Sequence, residues 1–356
     1  ILLESLEYAG LRYRSALESH EKNAVAKKYL EKRGLSPEIV ARYGIGFAPA
    51  ERDFLSDKAP AETLKALIKT KTVSDKYERL FDLFQNRLMF PIRNIRGKTI
   101  AFGGRTLGDD KAKYINSPES EVFHKSSEIY GLYEASQANR QKERLLVVEG
   151  YMDVISLAQY GISYAVATLG TATTRQHIEM LYRTVPEIIF CFDGDRAGKK
   201  AARRALENSL PQLVDGKHLG FLFLPDGEDP DSYVREHGKD GFEQLLQKIV
   251  PLSEFLFKDL STDIDLQTSE GCAKLVRDAK PLLIQVTAPT LRLMLCKRLS
   301  ELSGLDQHEL EAVLQLKYKA KVSGREYKNT PRKQPATPYY WLIFILLYQP
   351  DYVQKL

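Results

Sequence analysis

Acidic side chains gather at three points where the chain changes direction. Glu149 ends the apolar run Leu145-Leu146-Val147-Val148 and Asp153 follows four residues later. Asp193 ends Ile188-Ile189-Phe190-Cys191-Phe192 and leads through Gly194 to Asp195, and Asp226-Gly227-Glu228-Asp229-Pro230-Asp231 follows Phe221-Leu222-Phe223-Leu224. Carboxylates brought together at this density repel, which raises some of their pKa values unless cations are present. Mg²⁺, a hard ion that takes one or two carboxylates together with waters and phosphates, suits an all-oxygen set containing no His or Cys. Two such ions about 4 Å apart activate an attacking oxygen and stabilise a leaving one in phosphoryl chemistry. Taken singly, each Asp-Gly-Asp or Asp-Pro-Asp reads as a turn, because Asp, Gly and Pro favour turns for backbone reasons. Their recurrence at successive strand ends favours the metal. An EF-hand is disfavoured, since the later Glu and flanking helices of a calcium loop are absent after Asp193 and Asp229. The six histidines show neither H-x-x-x-H nor H-E-x-x-H, which speaks against a zinc hydrolase.

The elements that must hold these acids follow from hydrophobic patterning. Leu145–Val148, Tyr164–Ala167, Ile188–Phe192 and Phe221–Leu224 are continuous apolar runs, and 154–160, 174–183 and 197–210 between them have helical periodicity. Strand and helix in alternation predict a buried parallel sheet with helices on its faces. Ligands of such sheets bind beyond the carboxyl ends of the strands, so the three acidic groups converge on one rim, and Gly150 and Gly194 permit the sharp exits. Upstream, 23–32 and the Ser36-Pro37 start predict a helical hairpin. Arg87–Ile92 and Thr99–Gly103 predict strands joined through Asn94–Lys98 in a β-rich module. Downstream of Gly238 the chain reads as mainly helical, most clearly over 289–302 and 307–316.

The 356 residues hold 52 Lys+Arg and 47 Asp+Glu, a net charge of +5, with 43% hydrophobic residues. This length and composition suit two or three soluble domains and exclude collagen and disulfide scaffolds. Cys191, Cys272 and Cys296 lie far apart without C-x-x-C, as expected of reduced thiols. The longest apolar stretch, Tyr339–Tyr348, has ten residues where a membrane span needs about 20. With no signal-peptide pattern behind Ile1, the expectation is a piece of a cytoplasmic protein without a membrane partner. Residues 317–338 carry seven Lys/Arg, one Glu and three prolines and read as an extended linker, after which 339–347 reads as the opening of another helix.

A strand ending in Glu-Gly and a later strand ending in Asp-x-Asp resemble the Toprim domain of bacterial primases, topoisomerases and some nucleases and recombination proteins. Sharper strings occur in order: Arg87-Leu-Met-Phe-Pro-Ile92, Phe102-Gly-Gly-Arg105, Lys113-Tyr-Ile-Asn-Ser-Pro-Glu119, Phe123-His-Lys125, Glu149-Gly-Tyr-Met-Asp153, Asp193-Gly-Asp-Arg-Ala-Gly198 and Leu224-Pro-Asp-Gly-Glu-Asp-Pro-Asp231. Together they resemble the RNA polymerase core of the bacterial DnaG-type primases over about residues 1–316. The resemblance implies α/β and α+β architecture: a Toprim-type parallel sheet (141–237) between an N-terminal mixed α/β subdomain (1–140) and a C-terminal helical subdomain (238–316). The 317–338 linker and the start of a helicase-binding domain (339–356) would follow. It further implies synthesis of short RNA primers from ribonucleoside triphosphates on single-stranded DNA during chromosome replication at the nucleoid.

Carried over by position, the resemblance implies that Glu149, Asp193 and Asp195 hold catalytic Mg²⁺, with Mn²⁺ as its substitute, and that Asp153, Asp229 and Asp231 stand in second rank. Arg87, Arg105, Lys113, Asn116, Lys125 and Arg196 face nucleotide or DNA. Zinc is expected only in an N-terminal domain outside this sequence, because no Cys/His cluster precedes residue 100. The replicative helicase and a single-stranded-DNA-binding protein are the expected protein partners. Residues 85–125 hold eight basic against four acidic side chains, enough for a phosphate groove and equally for an ordinary solvated face; the string match favours the groove at Arg105, Lys113 and Lys125. Two other classes compete: a Toprim nuclease or topoisomerase piece, and a recombination mediator that binds DNA without chemistry. A primase-helicase fusion is excluded by the lack of G-x-x-x-x-G-K-[ST].

Overall fold

The computed structural model describes residues 1–75, 79–138 and 143–314, so the linker read over 317–338 and the helix read from 339 lie outside the described residues. Ile1–Leu310 form one compact unit; a second begins at Glu311. The chain opens with α1 (Leu2–Ser19), absent from the sequence expectations, which buries Leu6, Ala9, Tyr13, Ala16 and Leu17 as one amphipathic stripe. The expected hairpin follows as α2 (Ala24–Lys32) and α3 (Pro37–Tyr43). Ser36 accepts from the Ile39 amide to start α3, and Gly44, at φ 64°, ends it.

Next come β1 (Gly46–Ala48), α4 (Ala61–Lys69), β2 (Val73–Ser74), β3 (Phe81–Asp82), β4 (Arg87–Arg93), β5 (Thr99–Thr106), β6 (Tyr114–Asn116) and α5 (Leu132–Ala138). The β-rich module is an antiparallel sheet in the order β1-β4-β5-β6. The β4–β5 turn closes through Asn94 and Lys98 as expected.

The second half runs β7 (Arg144–Val148), α6 (Tyr151–Gln159), β8 (Ala165–Ala167), α7 (Arg175–Thr184), β9 (Glu187–Phe192), α8 (Arg196–Ser209), β10 (His218–Phe223), α9 (Pro230–Leu246) and β11 (Val250–Pro251). The sheet order is β11-β10-β9-β7-β8, with β10, β9, β7 and β8 parallel. The short β11 is an antiparallel edge that two residues of sequence do not announce. One face packs Leu146, Val148, Ile189, Cys191 and Leu222 with Val154 and Leu157 of α6. The other stacks Phe190, Phe192 and Phe221, the last 4.4 Å from the Phe255 ring. Residues buried on both faces explain why these strands are uninterrupted apolar runs. The chain leaves β7 for β8 on one side and returns to β9 on the other, so the order reverses between β7 and β9. Four helices complete the described chain: α10 (Leu252–Leu260), which carries Phe255, α11 (Ser269–Leu283), α12 (Pro289–Ser303) and α13 (Gln307–Leu314).

Candidate active site

The acids lie at the ends of β7 and β9 and on the helix starts beside them. Glu149 directly follows β7 and is exposed; Asp193 directly follows β9 and is half-buried. Among the described residues neither carboxylate has a hydrogen bond or salt bridge. Although Glu149 is open to solvent on one side, partial desolvation by the surrounding protein raises its pKa, and the nearby Asp193 and Asp195 raise it further. Asp193 is raised by burial, then by Asp229 and Asp195. The fold therefore concentrates negative charge here, and among the described residues no cation forms an ion pair with either carboxylate.

Three other acids also start helices. Asp195 caps α8, accepting from the Gly198 amide at 2.7 Å. Asp153, in the first turn of α6, accepts from the Gly150 amide at 2.9 Å. Asp229 caps α9, accepting from Ser232 N at 2.6 Å. Turn chemistry and site chemistry thus coexist in the same side chains, each retaining one carboxylate oxygen beyond its cap bond. Gly194 and Gly198 are required by close approach: a Cβ at the first would collide with the Leu224 carbonyl, at the second with the Asp193 carbonyl. Asp231 is different. It is 2% exposed and bonded to Arg33, to Ser156 Oγ at 2.6 Å and to Arg235 Nε at 3.1 Å, which makes it the anchor between α2, α6 and α9.

A cavity of about 290 Å³ lies beside these acids, lined by Glu149, Asp153 and Asp229 together with Arg33, Lys113, Tyr114 and Asn116. Asn116 is half-buried and held at both ends: its Oδ1 accepts from Tyr151 OH at 2.5 Å and its Nδ2 donates to the Leu169 carbonyl at 2.8 Å. Tyr151 stacks on Phe90 (5.3 Å) and meets Tyr130 edge-on (4.6 Å), and a Cβ on Gly103 would strike its ring. The Phe-Gly-Gly-Arg string is therefore a seat for Tyr151, locking β4 and β5 to the start of α6.

The basic residues divide. Lys113 is exposed at the cavity, and Arg196 is exposed in the first turn of α8. Arg105 is half-buried, its guanidinium 4.0 Å over the Tyr29 ring. Lys125 is held by its backbone: its carbonyl meets His177 Nε2 at 2.9 Å and its amide donates to Glu119 at 2.9 Å. Thr174 accepts from the His177 amide at 3.1 Å and donates its hydroxyl proton to the Ser126 carbonyl at 2.6 Å, so the start of α7 grips the loop that carries Lys125. Arg87 departs from the expectation. Its side chain is 7% exposed and donates to the Gly104 and Ala112 carbonyls and to Asp110, so it ties down the 106–113 loop rather than facing a polyanion. Arg33 and His177 escape the sequence patterns, and Tyr151 stands in the Glu149–Asp153 string without a role of its own; Gly103 in the Phe-Gly-Gly-Arg string hints at the aromatic ring it must admit.

Three family models match the chain. The DNA primase catalytic core N-terminal domain matches 12–136, the Toprim-like model 146–234, and the DnaB-helicase binding domain of primase 253–308. A crystal structure of a DNA primase domain from Pseudomonas aeruginosa superposes with TM-score 0.85 at 49% identity, covering 88% of this chain and all of that one. The chain belongs to the DnaG-type primase family. A structure described as the DnaG primase catalytic domain bound to single-stranded DNA gives TM-score 0.82 at 48% identity, over 86% of this chain and 98% of that one. The DNA primase of Pasteurella multocida is 48% identical over 99% of this chain, which spans 60% of that relative's length. The helicase-binding match covers α10, α11 and α12, ahead of the segment expected to carry that role.

Membership in the family implies use of a divalent cation. Among the described residues no three His, Cys, Asp or Glu side chains already converge as an ion cage. Mg²⁺ does not require one, since it keeps several waters and is completed by substrate phosphates. Unpaired Glu149 and Asp193, with the second oxygen of Asp195, fit that demand.

Proposed function

We propose that this chain is the RNA-primer-synthesising core of a bacterial replicative primase, joining ribonucleoside triphosphates on a single-stranded DNA template in the cytoplasm. One observation supports it most: two unpaired carboxylates, each with its pKa raised by desolvation and by neighbouring acids, stand at adjacent strand ends, and Glu149 also borders a cavity lined by Arg33 and Lys113. In this reading Glu149, Asp193 and Asp195 hold Mg²⁺, or Mn²⁺ in its place, and Asp153 and Asp229 add negative charge behind them. When bound, the cation neutralises phosphate charge and lowers the pKa of the attacking hydroxyl. Lys113 meets the triphosphate as a point charge, and Arg196 stands where the departing pyrophosphate would need one. Asn116 and Tyr151 act by position, fixing the wall against which the nucleotide rests. The Thr174–His177 grip presents Lys125 towards template or nucleotide, and Arg105 extends the basic face.

The DNA-bound relative supports the template, and the match over 253–308 supports a contact with the replicative helicase. A single-stranded-DNA-binding protein completes the proposed partners. Among the described residues no helix is long and apolar enough to cross a membrane.

The test is incubation with single-stranded DNA, labelled ribonucleoside triphosphates and Mg²⁺, beside Asp193→Asn and Glu149→Gln. The parent yields short RNA, and each variant loses about a thousandfold or more, the scale of removing charge stabilisation from a transition state. Both variants melt no lower than the parent without metal, since each removes like charge. Metal-dependent DNA cleavage without RNA would transfer the site to the nuclease class.

A further inference from the structure

A second cavity, about 320 Å³, opens at Glu149 on the other face of the sheet. Its floor is Val147, Phe190 and Phe192, and Ala201 and Arg204 of α8 and the 170–173 loop close it. It lies between β7 and β9, where the strand order reverses and where ligands of open α/β sheets bind. Its volume, at the small end of ligand sites, suits one nucleoside rather than a length of chain.

Three features mark it as built. The loop wall is pinned from both sides, Asn116 donating to the Leu169 carbonyl and Asn208 to the Thr173 carbonyl, each at 2.8 Å. Thr168, Gly170 and Glu149 line this cavity and the Lys113 cavity alike, so the two are neighbours across one carboxylate. Arg196, Lys200 and Arg204 are exposed at i, i+4 and i+8 on α8, one basic stripe running from the acids to the cavity mouth, whereas Arg203 is committed to Glu207 and Asp259.

We infer that this cavity holds the second ribonucleotide, the one whose 3′-hydroxyl attacks. The inference rests on the nucleotidyl-transfer reading. Its base lies against the phenylalanine floor, its phosphates along Lys200 and Arg204 of the α8 stripe, and its 3′-oxygen at Glu149. That oxygen bonds to the α-phosphorus of the nucleotide in the Lys113 cavity, the bond to the bridging oxygen breaks, pyrophosphate leaves with the electron pair, and the hydroxyl proton passes to solvent.

The experiment measures ATP bound per chain by equilibrium dialysis with Mg²⁺ and a poly-dT strand, and the KM for ATP in dinucleotide formation. The parent binds two ATP. Ala201→Trp, which fills the cavity, and Arg204→Gln, on an exposed site that leaves the fold alone, each weaken one of the two by about tenfold, the worth of a charged contact. Lys113→Gln weakens the other. In both α8 variants the KM for dinucleotide formation rises in parallel, Arg204→Lys recovers part of it, and extension of a ready-annealed oligoribonucleotide suffers less, because base pairing then holds the attacking end. One ATP per chain in the parent, or two bound with parental affinity in both α8 variants, overturns the assignment. Two ATP bound by a parent that makes no RNA would instead remove the polymerase reading and leave the pocket a nucleotide site.

Discussion

At Asp153 a single carboxyl group feels the whole charge cluster. Burial first, then Asp229, with smaller contributions from Asp231 and Asp193, pushes its pKa up to about 8 against the lowering hydrogen bond from Gly150. A carboxyl whose folded pKa exceeds its unfolded value binds its proton better when folded. The stability it contributes is complete below the ordinary aspartate range and is lost as pH rises through about 8. In EDTA, therefore, the melting temperature falls between pH 5 and pH 9, and Asp153→Asn, which keeps an acceptor for the Gly150 amide, flattens that fall. Identical pH slopes in parent and variant would show that the acids do not interact. Mg²⁺ added at high pH raises the parent's melting temperature, since it binds the ionised, folded form.

At the scale of elements, one small residue in β5, Gly103, decides how the halves meet. Gly103→Ala drives a methyl into the Tyr151 ring and costs about 1–3 kcal/mol by overpacking, read from chemical denaturation. Tyr151→Leu in the same background recovers part of it, whereas an unchanged Gly103→Ala midpoint would mean that the ring is free to move. The parallel strands were legible because continuous apolar runs bounded by Gly and Asp have few other readings, and their carboxyl ends located Glu149 and Asp193. Arg87 was not legible. A buried arginine that satisfies three carbonyl or carboxylate oxygens is written in the same letter as one that grips phosphate, and only the path of the 106–113 loop separates them. Asp231 is a similar case, since its ion pair with Arg33 joins residues 198 apart in sequence. In α1 the stripe of Leu6, Ala9, Tyr13 and Leu17 was available in the periodicity, while β11, two residues long, has no pattern to find.

For the whole molecule, a net charge of +5 is too small to bind DNA by itself, so affinity depends on where lysines and arginines remain unpaired. Single-strand binding weakens linearly in log salt. Lys113→Gln and Lys125→Gln each flatten the slope by about 0.7 if each side chain meets one phosphate. Arg87→Gln leaves the slope unchanged and lowers the melting temperature instead, because its guanidinium holds the fold. Fluorescence anisotropy from low to moderate salt reads all three.

The Toprim-type sheet is also finished at both margins by other parts of the chain. Tyr130, upstream of α5, exchanges backbone hydrogen bonds with Ala167 of β8, and β11 closes the opposite margin with Pro251, which has no amide to offer. A truncation beginning at residue 141 would keep every candidate metal-holding acid yet uncover the peptide groups of Ala167 on the β8 edge. Light scattering should find such a piece self-associating through strand addition, whereas one beginning before Ile129 stays monodisperse. The smallest soluble unit able to carry the acids is thus larger than the sheet that bears them.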